Sequence, residues 1–266
     1  MEFRNDLYEA MLDRTMQYTC AYWKNASNLD EAQVNKLDLI CRKIGASPGM
    51  SVLELGGGFG GLAYYLAAER GCRVVSYNIS GEQVRYARAL CEGLPVRFEE
   101  KDYREAVYEP VGFDRVVSVG LCEHIGYKNY RGFLALVHRM LKSGGLFLLH
   151  TIGGNASYTY TDAWIDKYIF PNGMIPSVTQ LGRAMEGLWV VEDWHNFGPD
   201  YDRTLMAWWH NFNSAWPKLR DKYGERFYRM WKFYLLSSAA SFRTRRLQLW
   251  QLVLSKGDIP GYVPVR

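Results

Sequence analysis

Between residues 51 and 151, apolar residues come in short continuous runs divided by glycine-rich or polar turns, with helically spaced apolar positions between the runs. Strands buried on both faces of a parallel sheet read this way, whereas half-solvated strands alternate. The pattern predicts strands at 51–55, 73–77, 96–100, 113–119 and 146–151, with helices over 60–70, 81–92 and 130–141, Ser80 capping the second. Such alternation implies an α/β fold, a doubly wound parallel sheet with helices on both faces. Ahead of it, residues 3–45 read as helical, interrupted by the aromatic stretch 16–23, which suits a cover folded over a ligand. Behind it, residues 153–187 break the alternation with Trp164, Tyr168 and Phe170, and insertions at strand ends usually build substrate sites. A short strand near 189–192, two long helices (201–220 and 224–242) and a last strand at 248–254 complete the chain. The whole reads as one catalytic domain: cover 1–48, core 49–153, insertion 154–187 and C-terminal part 188–266.

A chain of 266 residues, 48% hydrophobic, can bury a large core. No apolar run approaches the thickness of a bilayer, and Met1 to Asp6 is not a signal peptide. The five cysteines form no C-x-x-C pair, so neither a disulfide framework nor a metal site is expected, and a cytoplasmic setting fits best. A net charge of +4 without a basic stripe speaks against nucleic acid. The densest cluster, Arg243 to Arg246, reads as a solvated helix end or as weak attraction to anionic lipid. Aromatics crowd the C-terminal half, which suggests an apolar pocket or tunnel there.

The first strand runs into Glu54-Leu55-Gly56-Gly57-Gly58-Phe59-Gly60-Gly61. Glycines let the backbone bend and a bulky ligand approach, and the following helix presents free N–H groups. Two patterns fit at once: G-x-G-x-x-G at Gly56, Gly58 and Gly61, and E-x-G-x-G-x-G at Glu54, Gly56, Gly58 and Gly60, the first motif of S-adenosylmethionine (SAM) methyltransferases. A dinucleotide site wants a carboxylate after strand two, where this chain has Asn78. SAM sites can use Gln83 or Glu82 instead, and Asp102 stands either to meet an adenine amino group or to cap a helix. SAM is the favoured cofactor.

Polar residues also occur where apolar ones are expected. Glu123 follows the strand ending at 119, His150 ends an apolar run, and Tyr201 lies in a loop before a helix. Singly these are a surface acid, a core histidine and a packed ring. Together, Glu123 and His150 on adjacent strand ends would both face the ligand crevice.

With Met16 to Trp23, Leu53 to Gly61, Glu123 to Gly126, Leu149 to Gly153, Tyr168 to Gly173 and Glu192 to Gly198 in order, the chain resembles cyclopropane fatty acid synthases and the related mycolic acid cyclopropane synthases over nearly its whole length. The resemblance implies a class I SAM-dependent methyltransferase fold and methylene transfer from SAM to a cis double bond of a phospholipid acyl chain. It further implies a bicarbonate base held by Cys20, Glu123, His150, the main chain of Ile152 and Tyr201. SAM would be held by Tyr18, Thr19, Gly56, Gly58, Asn78, Gln83, Asp102 and Tyr103. Peripheral contact with an anionic membrane on its cytoplasmic face goes with that activity, and a homodimer is left open. Within the family Gly57 is usually Cys, Phe59 usually Trp and Asn78 commonly Thr. The bacterial phospholipid enzymes carry an N-terminal domain; this sequence begins almost at the catalytic part, as a piece of a longer protein or as a chain that meets lipid by other means. Enzymes that stop at a methyl branch and small-molecule N-methyltransferases are the alternatives.

Overall fold

The computed structural model describes residues 5–106 and 112–266, so residues 3 and 4 of the expected N-terminal helical stretch lie outside the described residues. Seven strands form one sheet in the order β3-β2-β1-β4-β5-β7-β6. They are β1 Ser51–Leu55, β2 Arg73–Asn78, β3 Val96–Glu100, β4 Phe113–Val119, β5 Leu141–Gly154, β6 Val190–Asn196 and β7 Leu247–Ser255. The first five pair in parallel, and β7 runs antiparallel between β5 and β6. Chain order reverses direction between β1 and β4, so the carboxyl ends of those strands frame the crevice where such sheets bind ligands.

Alternate residues of the buried strands serve opposite faces. Val52, Val74, Val117 and Leu148 pack under α2 Leu29–Lys43, α3 Gly61–Ala68 and α4 Gly81–Leu90. Leu53, Val116, Phe147 and Leu149 pack under α5 Tyr130–Met140 and α7 Val178–Met185. A third apolar cluster stands off the sheet, formed by α1 Asn5–Met11, the irregular segment after it, and α8 Pro199–Arg243. In this third core residues 7–39 of the expected cover pack against residues 197–249 of the expected C-terminal part.

Several boundaries shift from expectation. The helix after β1 starts at Gly61, with Gly60 as its cap. The turn at 142–145 lies inside β5 as a break in register against β4. β6 runs on to Asn196 because β7 pairs with it to the end. The two expected C-terminal helices are two arms of α8 that meet at Gly224, whose φ of 75° breaks the helix. The insertion is itself divided: α6 Ala163–Tyr168 has no buried residue, while α7 buries Leu181 and Met185 against α5.

Candidate active site

The glycine loop is shaped from below. Gly56 and Gly57 both donate their N–H groups to the Tyr77 carbonyl, at 2.9 and 3.1 Å. Gly60 has a φ of +86°, and a Cβ there would stand 2.7 Å from the Ala87 Cβ of α4, so this glycine is demanded by packing. A Cβ on Gly58 would meet nothing within 4 Å, so the crown of the loop faces open space. Glu54 lies beneath, 3% exposed, where its Oε2 accepts from Ser76 Oγ at 2.6 Å. Burial pushes that carboxyl up to about 7. In this structure Glu54 braces the loop.

Where a ribose-binding carboxylate was looked for, Asn78 donates Nδ2 to the Gly58 carbonyl (3.0 Å) and to Gln83 Oε1 (2.9 Å). Those bonds tie the loop to the amide pair at the end of β2. Of the two roles open for Asp102, the cap is the one observed. Its side chain accepts from Arg104 N in a capping box with Glu105 and is gripped by Arg104 Nε and Nη2 at 2.8 and 2.9 Å. The bonds to Arg104 hold its carboxyl below the usual range. Tyr103 beside it sets the edge of its ring against Phe133, 5.3 Å between centroids.

The irregular cover obtains its backbone bonds from side chains. Asp13 accepts from Gln17 N at 3.0 Å, and Gln33 donates to the Thr19 carbonyl at 2.9 Å. Lys36, fully buried, donates to Gln17 Oε1 and to Thr19 Oγ1 (3.0 Å). On the far side Thr204 Oγ1 accepts from Ala21 N and Trp23 Nε1, at 3.1 and 3.0 Å. Tyr18, Thr19 and Cys20 are thereby clamped between α2 and α8. Burial raises the Cys20 thiol far above its ordinary value, so it is not a thiolate.

Glu123 sits in a 3₁₀ turn, Cys122–His124, just beyond β4. Its Oε1 accepts from Ile152 N of β5 at 2.7 Å, whereas its Oε2 is buried without a partner. Burial raises this carboxyl to about 7. The main chain of Ile152, expected to help hold a bound anion, donates its N–H to Glu123. His150, 1% exposed, meets Gln251 of β7 through Nδ1 at 3.2 Å. An amide N–H can only donate, so Nδ1 accepts and the ring proton lies on Nε2, which is buried and unpartnered. Burial, then Lys36 and Lys43, hold His150 well below its ordinary value, so it is neutral. Tyr201 is buried in the first turn of α8, its ring 4.5 Å from Phe242. Burial, with the nearby groups Tyr234, Cys20 and Glu123, raises its hydroxyl far above the ordinary value.

Around this set stands an aromatic wall. Phe170 lies 6.3 Å from Tyr18, 5.8 Å from Tyr234 and 5.8 Å from His124. Trp208 lies 5.2 Å from Tyr18 and 5.9 Å from Tyr201. The strand-end and cover residues are thus brought together, while Asp102 and Gln83 stay with the glycine loop side. Lys36, Thr204, Gln251, Trp208 and Tyr234 were not singled out from sequence. Lys36 did leave a signal: it is a charge on the apolar stripe of α2, between Ala32 and Ile40.

The sequence matches the family described as mycolic acid cyclopropane synthetase over residues 2–252. It is 53% identical over 253 residues to the cyclopropane-fatty-acyl-phospholipid synthase of Escherichia coli, covering 95% of this chain but only 65% of that protein's length. A solved cyclopropane synthase from Mycobacterium tuberculosis superposes with a TM-score of 0.88 at 26% identity, covering 96% of this chain and 95% of its own. A mycolic acid cyclopropane synthase solved with SAH and CTAB gives 0.87 at 28% identity, with 95% and 94% covered. The sheet order and these superpositions establish the class I SAM-dependent methyltransferase fold. With nearly the whole described sequence inside the match, this chain belongs to the mycolic acid cyclopropane synthetase family.

Proposed function

We propose that the chain catalyses SAM-dependent transfer of a methylene unit to a cis double bond of a phospholipid acyl chain, with bicarbonate as the base. The observation that carries this reading is the pair of buried, unpartnered groups on adjacent strand ends, Glu123 Oε2 and His150 Nε2–H. Orphaned buried polar groups cost roughly 1–3 kcal/mol each, a cost that makes sense where a ligand satisfies them. A neutral imidazole N–H suits an anion, and a carboxyl near 7 shares a proton rather than repelling one. Tyr201 and Cys20, both protonated, complete a cage for a small oxyanion, and the Ile152 N–H keeps Glu123 in place.

The loop residues fit SAM. Gly58 leaves an approach without a side chain, Gly56 and Gly60 bend the loop around it, Asn78 holds Gln83 whose amide nitrogen is left for hydroxyls, and Asp102 with Tyr103 borders the adenine side. Tyr18 and Thr19 close over the top. When bound, SAM supplies an electrophilic methyl group, and bicarbonate supplies the base for the proton released on ring closure. The chain's own contribution is to exclude water behind Phe170, Trp208 and Tyr234 and to steady positive charge on the lipid with ring faces. Among the described residues no helix is long and apolar enough to cross a membrane, so the lipid is met from outside the bilayer core in this reading.

The test is incubation with unsaturated phospholipid vesicles and SAM carrying a trideuterated methyl group. A cyclopropane retains two labels and is the expected product. A branch retaining all three, or transfer to amines alone, overturns the assignment.

A further inference from the structure

α6 and the second arm of α8 together present an aromatic and basic outer surface. A groove of about 300 Å³ is lined by Trp164, Tyr168, Phe233, Arg226 and Arg229, with Met230 at its floor. Phe233 is 55% exposed, and its ring meets Trp164 edge-on at 4.6 Å. Arg226, Arg229, Met230 and Phe233 follow one stripe of the helix, so the guanidinium groups and the apolar side chains share a face. Neither arginine forms an ion pair among the described residues. The nearest acids of α6 are engaged elsewhere: Asp162 accepts from the N–H groups of Trp164 and Ile165, and Asp166 from that of Asn172. Lys167, over the Tyr168 ring at 5.2 Å, adds a third cation at the rim.

We propose that this groove is the surface by which the protein docks on anionic phospholipid, resting on the acyl-lipid reading above. Aromatic side chains prefer the boundary between head groups and acyl chains, and unpaired arginines there bind phosphate oxygens in a planar fork. A carrier protein would bring the same negative charge, yet the exposed Phe233 ring standing on half-buried Trp164 and Tyr168 is suited to lipid. The position supports the same conclusion. Phe233 is followed by Tyr234, and Tyr168 lies two residues before Phe170; the outer member of each pair faces the groove, while Tyr234 and Phe170 form the wall of the cage. The groove and the wall of the cage are therefore carried on the same two segments, α6 with its following loop and the second arm of α8.

The experiment compares the protein with Arg226→Glu/Arg229→Glu, with Phe233→Ser, and with a matched reversal on other elements, Arg73→Glu/Arg139→Glu. Sedimentation with vesicles of unsaturated phosphatidylglycerol and phosphatidylcholine, and with phosphatidylcholine alone, reads docking; calorimetry with SAH reads the intact cofactor site. Expected is a loss of tenfold or more in partition to anionic vesicles for the arginine pair, roughly what two charges at a lipid surface are worth. Phe233→Ser should lose partition to both vesicle types, with SAH affinity unchanged in every variant and the matched reversal behaving as the parent. Equal partition of the parent and the arginine pair overturns the proposal. So does binding of an acidic carrier protein that depends on Arg226 and Arg229 while binding to anionic vesicles does not. Methyl transfer to detergent-dispersed unsaturated chains tests the underlying reading separately: its absence removes that reading, while its presence with vesicle-indifferent variants removes only the docking surface.

Discussion

Tyr18 and Tyr234, 216 positions apart in sequence, share a hydrogen bond of 3.0 Å between their hydroxyls. The bond joins the N-terminal cover to the second arm of α8 directly above the glycine loop side of the site. It makes the cover and this arm one wall, so that loosening either should be felt at both the cofactor loop and the cage.

Glu123→Gln is expected to keep SAH affinity and to lower turnover by roughly 10²-fold or more, as when a proton-transfer group is removed. The same variant has a pH signature. In the folded protein this carboxyl holds its proton up to about 7, against an ordinary value of 4.5, so the native state binds more protons across that window. Stability therefore falls as pH rises from 4.5 to 7. Denaturant titrations at pH 5 and pH 8 should differ less for Glu123→Gln than for the parent, with Glu54 leaving part of the slope in both.

Gly58 and Gly60 should separate ligand approach from packing. Gly58→Val enters open space but must take a left-handed φ of +52°, so it should lose SAH binding in calorimetry and also cost about 1–3 kcal/mol of stability. Gly60→Ala presses on Ala87 in a left-handed backbone and should cost about 1–3 kcal/mol of stability in denaturant titration. A Gly58→Val protein that binds SAH normally would refute the approach path.

Lys36→Met removes the ammonium that holds Gln17 and Thr19. Two acceptors are then left buried, at a cost of roughly 1–3 kcal/mol, and SAH affinity should weaken as the cover loosens. Burial brings Lys36 down to about 8 from 10.5, so the native state sheds its proton first and stability rises with pH between those values. Thermal melts at pH 8 and pH 10 should show a smaller rise in the variant, the remainder coming from buried Lys43.

The parallel core was legible because β1, β2, β4 and the later part of β5 bury residues on both faces and are punctuated by glycine turns, a pattern that few other arrangements produce. Glu123 and His150 were legible as polar residues at strand ends. What escaped depends on contacts between elements distant in sequence. Nothing near Ile152 says that its N–H is claimed by Glu123, and nothing near Thr204 says that it anchors Ala21 and Trp23. α7 was read as part of a substrate insertion because its flanks are irregular, although its own Leu181 and Met185 belong to the core.

Gly57 and Ser76 bear on how the loop can change over evolution. A Cβ on Gly57 would fall 2.0 Å from Ser76 Oγ, the hydroxyl that serves Glu54. The two sites are halves of a single volume, so enlarging one requires trimming the other. A cysteine at 57 would be accommodated here only by a double replacement, and drift between the two loop types must pass through a strained or a hollow intermediate.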